Sequence, residues 1–242
     1  MNLFDLVAAW FAEPSTWSGP DSIPTRVAEH LQYTALAMLI AAVIALPLGT
    51  VLGHLHRGQA LVLTIANTIR ALPTLGLVTL VVILSGIGLL PPLIALIVLA
   101  VPPMLVNSFE GVRNVDPSVV DAARGVGLRG TATLLGVEIP VALPIILLGV
   151  RVAAIQVVSA ATIAAYVGLG GLGRFIFDGL GRRDFGQMAG GSIVAAVLAV
   201  ATEVVFVLLT AFATSPGVSR RSRIGSLGSL VRFTLQPRKQ IA

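Results

Sequence analysis

DPSVVDAARGVGLRGTATLLGVEIPVALP, residues 116–144, decides how the rest of the chain is read. It is a polar island carrying Asp116, Asp121, Arg124, Arg129 and Glu138, set between two hydrophobic segments long enough to cross a bilayer. Charged groups are costly in hydrocarbon, so the island is expected to face water and a partner. Asp116 is a good N-cap for a short helix, and Pro117 follows where its missing N–H costs nothing. That helix is expected to stop near Gly125 or Gly127, since glycine tolerates the left-handed backbone that closes helices. A second helix from about Thr131 is expected to end before Pro140, because proline disfavours helical geometry in the residue ahead of it. The product is a helix–turn–helix at the membrane surface.

Within this stretch Asp121-Ala122-Ala123, three residues, Gly127, nine residues and then Val137-Glu138-Ile139-Pro140 resemble the EAA loop of the permease subunits of ABC importers, EAA-x3-G-x9-I-x-L-P. Asp121 stands for Glu, Val137 for Ile and Ile139 for Leu, each conservative in charge or shape. The resemblance implies a cytoplasmic coupling loop docking into a groove on an ATPase subunit. Small residues at 122, 123 and 127 would suit that close approach. A DNA-binding helix–turn–helix is the poorer reading, because its recognition face needs several basic or amide side chains.

Composition points the same way. The chain of 242 residues is 56% hydrophobic and 11% charged, with a mean hydropathy of +0.95, which indicates an integral membrane protein; its long apolar segments are expected to make it all-α. Without cysteine there is no disulfide framework, thiolate metal site or cysteine nucleophile. The only lysine is Lys239, preceded by Arg238, so the chain carries no G-x4-G-K-[ST] phosphate loop. No cofactor is expected, and ATP hydrolysis would fall to a separate chain.

About five spans are legible. Residues 1–30 hold Asp5, Glu13, Asp21 and Glu29 against Arg26 and do not open like a secretory signal. The opening apolar run falls short of the ~20 residues a span needs, so it reads as an interfacial helix anchored by Trp10 and Trp17. Spans follow at about 33–55, 61–90, 91–109, 145–167 and 191–213, the second broken near Ala71-Leu72-Pro73. Pro47 and Gly49 in the first are tolerated in membrane helices. His54 and His56, two residues apart, share no helix face and make no metal site. The run SAATIAA, residues 159–165, suits close helix packing. Gly168, Gly170 and Gly173 fit G-x-G-x-x-G literally, but they follow an apolar helix instead of a strand, which argues against a dinucleotide site.

The tail 214–242 carries Arg220, Arg221, Arg223, Arg232, Arg238 and Lys239 without an acid. By the positive-inside rule it lies in the cytoplasm, where anionic lipid is a simpler partner than nucleic acid. Five spans then place the acidic N-terminus and the 168–187 loop outside, and the coupling loop inside. Arg174, Arg182 and Arg183 in that outer loop, against Asp178 and Asp184, run counter to the charge rule.

Ionisable groups within spans are functional candidates. At 1.5 Å per residue Arg70 and Glu203 lie roughly 15 Å into their segments and Arg151 roughly 10 Å. Glu203 is expected to pair with Arg70 or Arg151, since a lone buried carboxylate would protonate. Gln156, Tyr33 and Tyr166 complete the candidate polar pathway.

The segment NTIRALPTLGL, residues 67–77, and the glycine-rich GLGGLG, Gly168, Gly170, Gly171 and Gly173 among it, resemble the permeases for osmoprotectants. The whole stretch from about Val27 to Ala213 resembles the glycine betaine/carnitine/choline importers and the methionine-importer-like permease fold. That resemblance implies a type I importer permease, paired with a second copy or a sister permease. It further implies two P-loop ATPases below, a solute-binding protein outside, and an outer pore-mouth loop at 168–173. An amino-acid or methionine importer is the alternative within the class. An ion-gradient-driven transporter using Arg70, Arg151 and Glu203, or a membrane scaffold, are the alternatives outside it. Quaternary ammonium groups are held by aromatic rings, and the chain is only 5% aromatic, so selectivity is expected to reside in the binding protein.

Overall fold

The computed structural model describes residues 2–86 and 88–213; the basic tail 214–242 lies outside the described residues. The elements are α1 (Leu3–Ala12), α2 (Pro14–Trp17), α3 (Ile23–His54), α4 (Gln59–Ala71), α5 (Thr74–Ser85), α6 (Leu90–Arg113), α7 (Pro117–Gly125), α8 (Thr131–Thr133), a π turn (Leu134–Glu138), α9 (Ile139–Ala164), a 3-10 turn (Ala165–Val167), α10 (Gly173–Arg182) and α11 (Phe185–Ala213). No strand occurs among the described residues. Four helical stretches are long and apolar enough to cross a membrane: Ile23–His54, Leu90–Arg113, Thr131–Val167 and Phe185–Ala213. The pair α4–α5 makes a fifth if its 91° bend counts as one broken span. The break falls at Leu72-Pro73, as the sequence predicts.

Proline and glycine punctuate the helices in the expected places. Proline stands in the first turn of α3, α6, α7 and α9, where no N–H is needed. Pro47 sits inside α3 without ending it. α6 is the central helix, packed against α3, α4, α5 and α9, and its Leu96, Leu99, Met104 and Phe109 are almost wholly buried. Facing it, α3 presents Ala37, Ala41 and Ala45, each 0% exposed. A Cβ on Gly49 would stand 2.7 Å from the Leu105 carbonyl oxygen, and one on Gly53 2.6 Å from that of Phe109. On α9, a Cβ on Gly149 would meet the Pro103 oxygen at 2.7 Å. The three helices therefore touch nearly backbone to backbone, the packing available where lipid removes the hydrophobic drive between helices. The outward faces are apolar, with Leu39, Val43, Ile83, Val200 and Phe212 all exposed.

Several boundaries differ from those read in the sequence. The helix from Thr131 does not end before Pro140; it continues through the π turn into α9, and Thr131–Val167 forms one helical stretch. The Ile139 N–H bonds to the Leu134 carbonyl five residues back. Widening the helix at that turn relieves the clash a proline ring would otherwise make with the carbonyl four residues earlier. The first and last spans begin sooner, at Ile23 and Phe185. The 168–187 segment is no open loop, because it contains α10. Trp10 turns inward against Phe175, ring centroids 5.3 Å apart, and a Cβ on Gly190 would collide with its ring.

Candidate functional site

The polar island forms a compact element at one end of the bundle. Asp116 caps α7 by accepting from the Ser118 N–H at 2.9 Å. The helix closes in a Schellman turn: the Leu128 N–H bonds to the Ala123 oxygen at 3.1 Å and the Gly127 N–H to the Arg124 oxygen at 2.9 Å. Gly127 adopts φ +94°, and a Cβ there would meet nothing within 4 Å. Its glycine thus answers a backbone conformation and not a lack of space. Asp121, Ala122, Arg124 and Gly127 are exposed, and Val126 is 81% exposed. Ala123 is different: it is 7% exposed and spent on the chain's own packing, so it offers no surface to a partner. Val137 and Ile139 are half-buried and Pro140 exposed.

Under α7 lies a cluster of Val112, Val115, Leu134, Ala142 and Ile146, with Val120, Ile139 and Leu46 packed on it. Glu138 does not face water, as the sequence suggested. It is 3% exposed, and its Oε2 lies 2.6 Å from His54 Nδ1 at the end of α3. The motif residues therefore divide into an outward half on α7 and an inward half on the π turn.

At the opposite end, the glycine-rich segment is fastened to α3. Glu29 accepts from the Gly171 N–H at 2.8 Å. His30, 1% exposed, donates from Nε2 to the Val158 oxygen at 2.9 Å and accepts at Nδ1 from the Leu172 N–H at 3.3 Å. Both backbone partners have fixed roles, which sets the imidazole tautomer. A Cβ on Gly170 would lie 2.5 Å from Glu29 Oε2, and one on Gly171 3.0 Å from His30 Nδ1. Gly168 and Gly171 take φ +102° and +86°, and a Cβ on Gly173 would run into the Thr162 carbonyl. The G-x-G-x-x-G spacing is thus a packed turn. Arg26 bridges Glu29 at 2.8 Å and also pairs with Asp21.

Of the two partners the sequence allowed Glu203, the structure selects Arg151, whose Nε donates to Glu203 Oε2 at 2.9 Å. Arg70 is exposed at the end of α4 and makes no ion pair or hydrogen bond among the described residues. Gln156 and Tyr33 are half-buried on α9 and α3. Tyr166 is 62% exposed with its ring 5.1 Å from Phe177. These groups lie apart from two cavities. A polar cavity of about 450 Å³ opens between Trp10, Asp21, Arg174, Arg182 and Asp184, and an apolar one of about 610 Å³ runs between α3, α9 and α11 past Thr34 and Phe206; neither is lined by them. Among the described residues no His/Cys/Asp/Glu group could hold a metal ion.

Glu29, His30 and the Glu138–His54 contact were missed in the sequence. For His30 a signal existed: it opens the stripe Thr34, Ala37, Ala41, Ala45 that α3 buries. For Glu138 and His54, 84 residues apart, no local pattern could have joined them.

The family model for "Binding-protein-dependent transport system inner membrane component" matches residues 24–220. A glycine betaine/carnitine/choline transport system permease protein of Bacillus subtilis is 31% identical over 193 residues, covering 80% of this chain and 89% of that protein. A carnitine transport permease protein of Listeria monocytogenes is 34% identical over 175 residues, covering 72% and 80%. Among solved structures, the methionine ABC transporter MetNI in inward-facing conformations matches with a TM-score of 0.70 at 23% identity, over 84% of this chain and 100% of that one.

Proposed function

The chain belongs to the family of binding-protein-dependent transport system inner membrane components, and on that premise we propose that it carries a compatible solute of the betaine, carnitine or choline kind. It is a multi-pass membrane permease subunit of an ABC importer. The solute class rests on the relatives, whose names specify glycine betaine, carnitine and choline. The observation that carries the docking role is the exposed outer face of α7, with Asp121, Ala122 and Val126 presented beyond a capped and Schellman-closed helix. In this reading two ATPases bind that face, one under each copy of a permease pair. A solute-binding protein meets the opposite end, where Glu29 and His30 hold the 168–173 segment. The N-terminus is outside and the C-terminus inside. His54, Glu138 and α7 then lie at the cytoplasmic end, while Glu29, Gly171 and α10 lie at the outer one. Arg70, Gln156, Tyr33 and Tyr166 are candidate pathway groups that a second copy would complete. The chain itself performs no bond chemistry.

The test is affinity capture of the full chain from its native membrane, with and without Ala122→Trp. Ala122 is exposed, so the bulky ring blocks docking without entering the core. A P-loop ATPase should accompany the natural chain and be lost with the variant. Capture of no ATPase by the natural chain would overturn the reading.

A further inference from the structure

α7 and the π turn that follows it are joined to the spans by three kinds of contact, and they differ in what they transmit. The Val112–Val115–Leu134–Ala142–Ile146 cluster is apolar, and apolar contact is non-directional, so it permits sliding. The π turn Leu134–Glu138 is compliant: each of its hydrogen bonds skips one residue more than an α-helical bond, and single π turns recur at functional positions in helices. The Glu138–His54 contact is the directional one. It ties the last residue of the π turn to the last residue of α3 at 2.6 Å.

Such a contact is a poor device for stability alone. Glu138 is 3% exposed, burying a carboxylate carries a desolvation cost, and an apolar pair of similar volume often holds a fold as well or better. A polar tie at this place supplies a fixed direction and distance.

We propose that Glu138 and His54 are positioning residues that transmit movement of α7 to α3. With the exit of the π turn locked to α3, a displacement of α7 by a bound ATPase reaches α3 and α9 together. Without the lock, what passes the π turn goes to α9 alone. This inference rests on the importer reading, since it needs an ATPase to move α7. α3 then carries the movement to its other end, where Glu29 and His30 hold the Gly171–Leu172 backbone. One lever would thus link the docking face to the outer segment.

The test uses the full chain with its captured ATPases in liposomes. As the sequence contains no cysteine, Gln32→Cys, exposed near the outer end of α3, takes a single environment-sensitive dye per copy. ATP should change the dye emission in this background and in Glu138→Gln, whose amide oxygen still accepts from His54. In the apolar pair Glu138→Leu/His54→Phe, ATPases should bind and hydrolyse ATP within about twofold of the parent, while the dye response falls about tenfold or more. Uptake of radiolabelled glycine betaine should fall in parallel with the dye. A full dye response in the apolar pair overturns the proposal. So does loss of ATPase binding in that pair, which would make the contact a mere support of the docking face. Failure of the unsubstituted chain to bind any ATPase is a different result, and it removes the importer reading itself.

Discussion

Arg151 on α9 and Glu203 on α11 are joined by two parallel hydrogen bonds, Nε to Oε2 at 2.9 Å and Nη2 to Oε1. The geometry is the fork-on-carboxylate arrangement that gives an arginine both strength and direction. The most apolar window of α11 buries none of its residues in the chain, and this pair is a specific tie between α11 and α9 there. Glu203→Gln should cost about 1–3 kcal/mol of stability, because it leaves the guanidinium half-buried with a neutral partner. The exchange Arg151→Glu with Glu203→Arg should restore the thermal midpoint in detergent and also solute uptake, as a structural pair requires. Recovery of the midpoint without uptake would instead place the pair on the transport pathway.

The contacts of Glu29 and His30 with the Gly171–Leu172 backbone, a latch on the glycine-rich segment, give a second prediction. His30→Leu strands the Leu172 N–H and one bond of the Val158 carbonyl, a loss of about 1–3 kcal/mol for buried polar groups left unpaired. Gly170→Ala acts on the same latch from the other side by pushing Glu29 off the Gly171 N–H. Both variants should loosen the 168–172 segment and the first turn of α10, read as faster trypsin cleavage at the half-buried Arg174. Cleavage at the parental rate in both would show that the latch does not hold the segment down.

How much of this could be read beforehand follows from where the information sits. The span pattern, the break at Pro73 and the α7 cap are local consequences of hydropathy, proline and an Asp-Pro step, and they were legible. Gly127 was legible as a left-handed helix stop, and the Schellman turn supplies the backbone reason for its glycine. Ala123 was misplaced because a small residue in a polar motif reads as surface, whereas α7 has one face against the π turn. The continuation through Pro140 was hidden because a π turn trades one hydrogen-bond register for room, and no residue type announces that trade. The choice between Arg70 and Arg151 was open because depth along a segment says nothing of which helices are neighbours.

Gly127 yields the third prediction. Its φ of +94° lies in the region where a Cβ costs roughly 1–2 kcal/mol, although the space around it is open. Gly127→Ala should therefore weaken ATPase capture by fraying the end of α7, and Gly127→Asn, which tolerates this backbone, should weaken it less. The comparison is read by titrating the captured ATPase. If Asn is as damaging as Ala, or Ala harmless, the glycine serves something other than the turn.

The fourth prediction separates glycines that hold helices together from those that do not. On α3, Gly49 faces the Leu105 carbonyl and the Ser108 side chain of α6, leaving no room for any side chain. Gly49→Val should force α3 and α6 apart and, since that seam also carries Ala41 and Ala45, lose most of the folded protein. Overpacking of this kind costs about 1–3 kcal/mol even where neighbours can yield, and a backbone carbonyl yields little. Gly136 in the π turn is exposed with nothing within 4 Å of a Cβ, so Gly136→Ala should leave folding unchanged. Fluorescence-detected size exclusion of the two variants in detergent gives the answer directly. A monodisperse Gly49→Val at parental yield would mean that α3 and α6 do not meet as closely as Gly49 and Gly53 require.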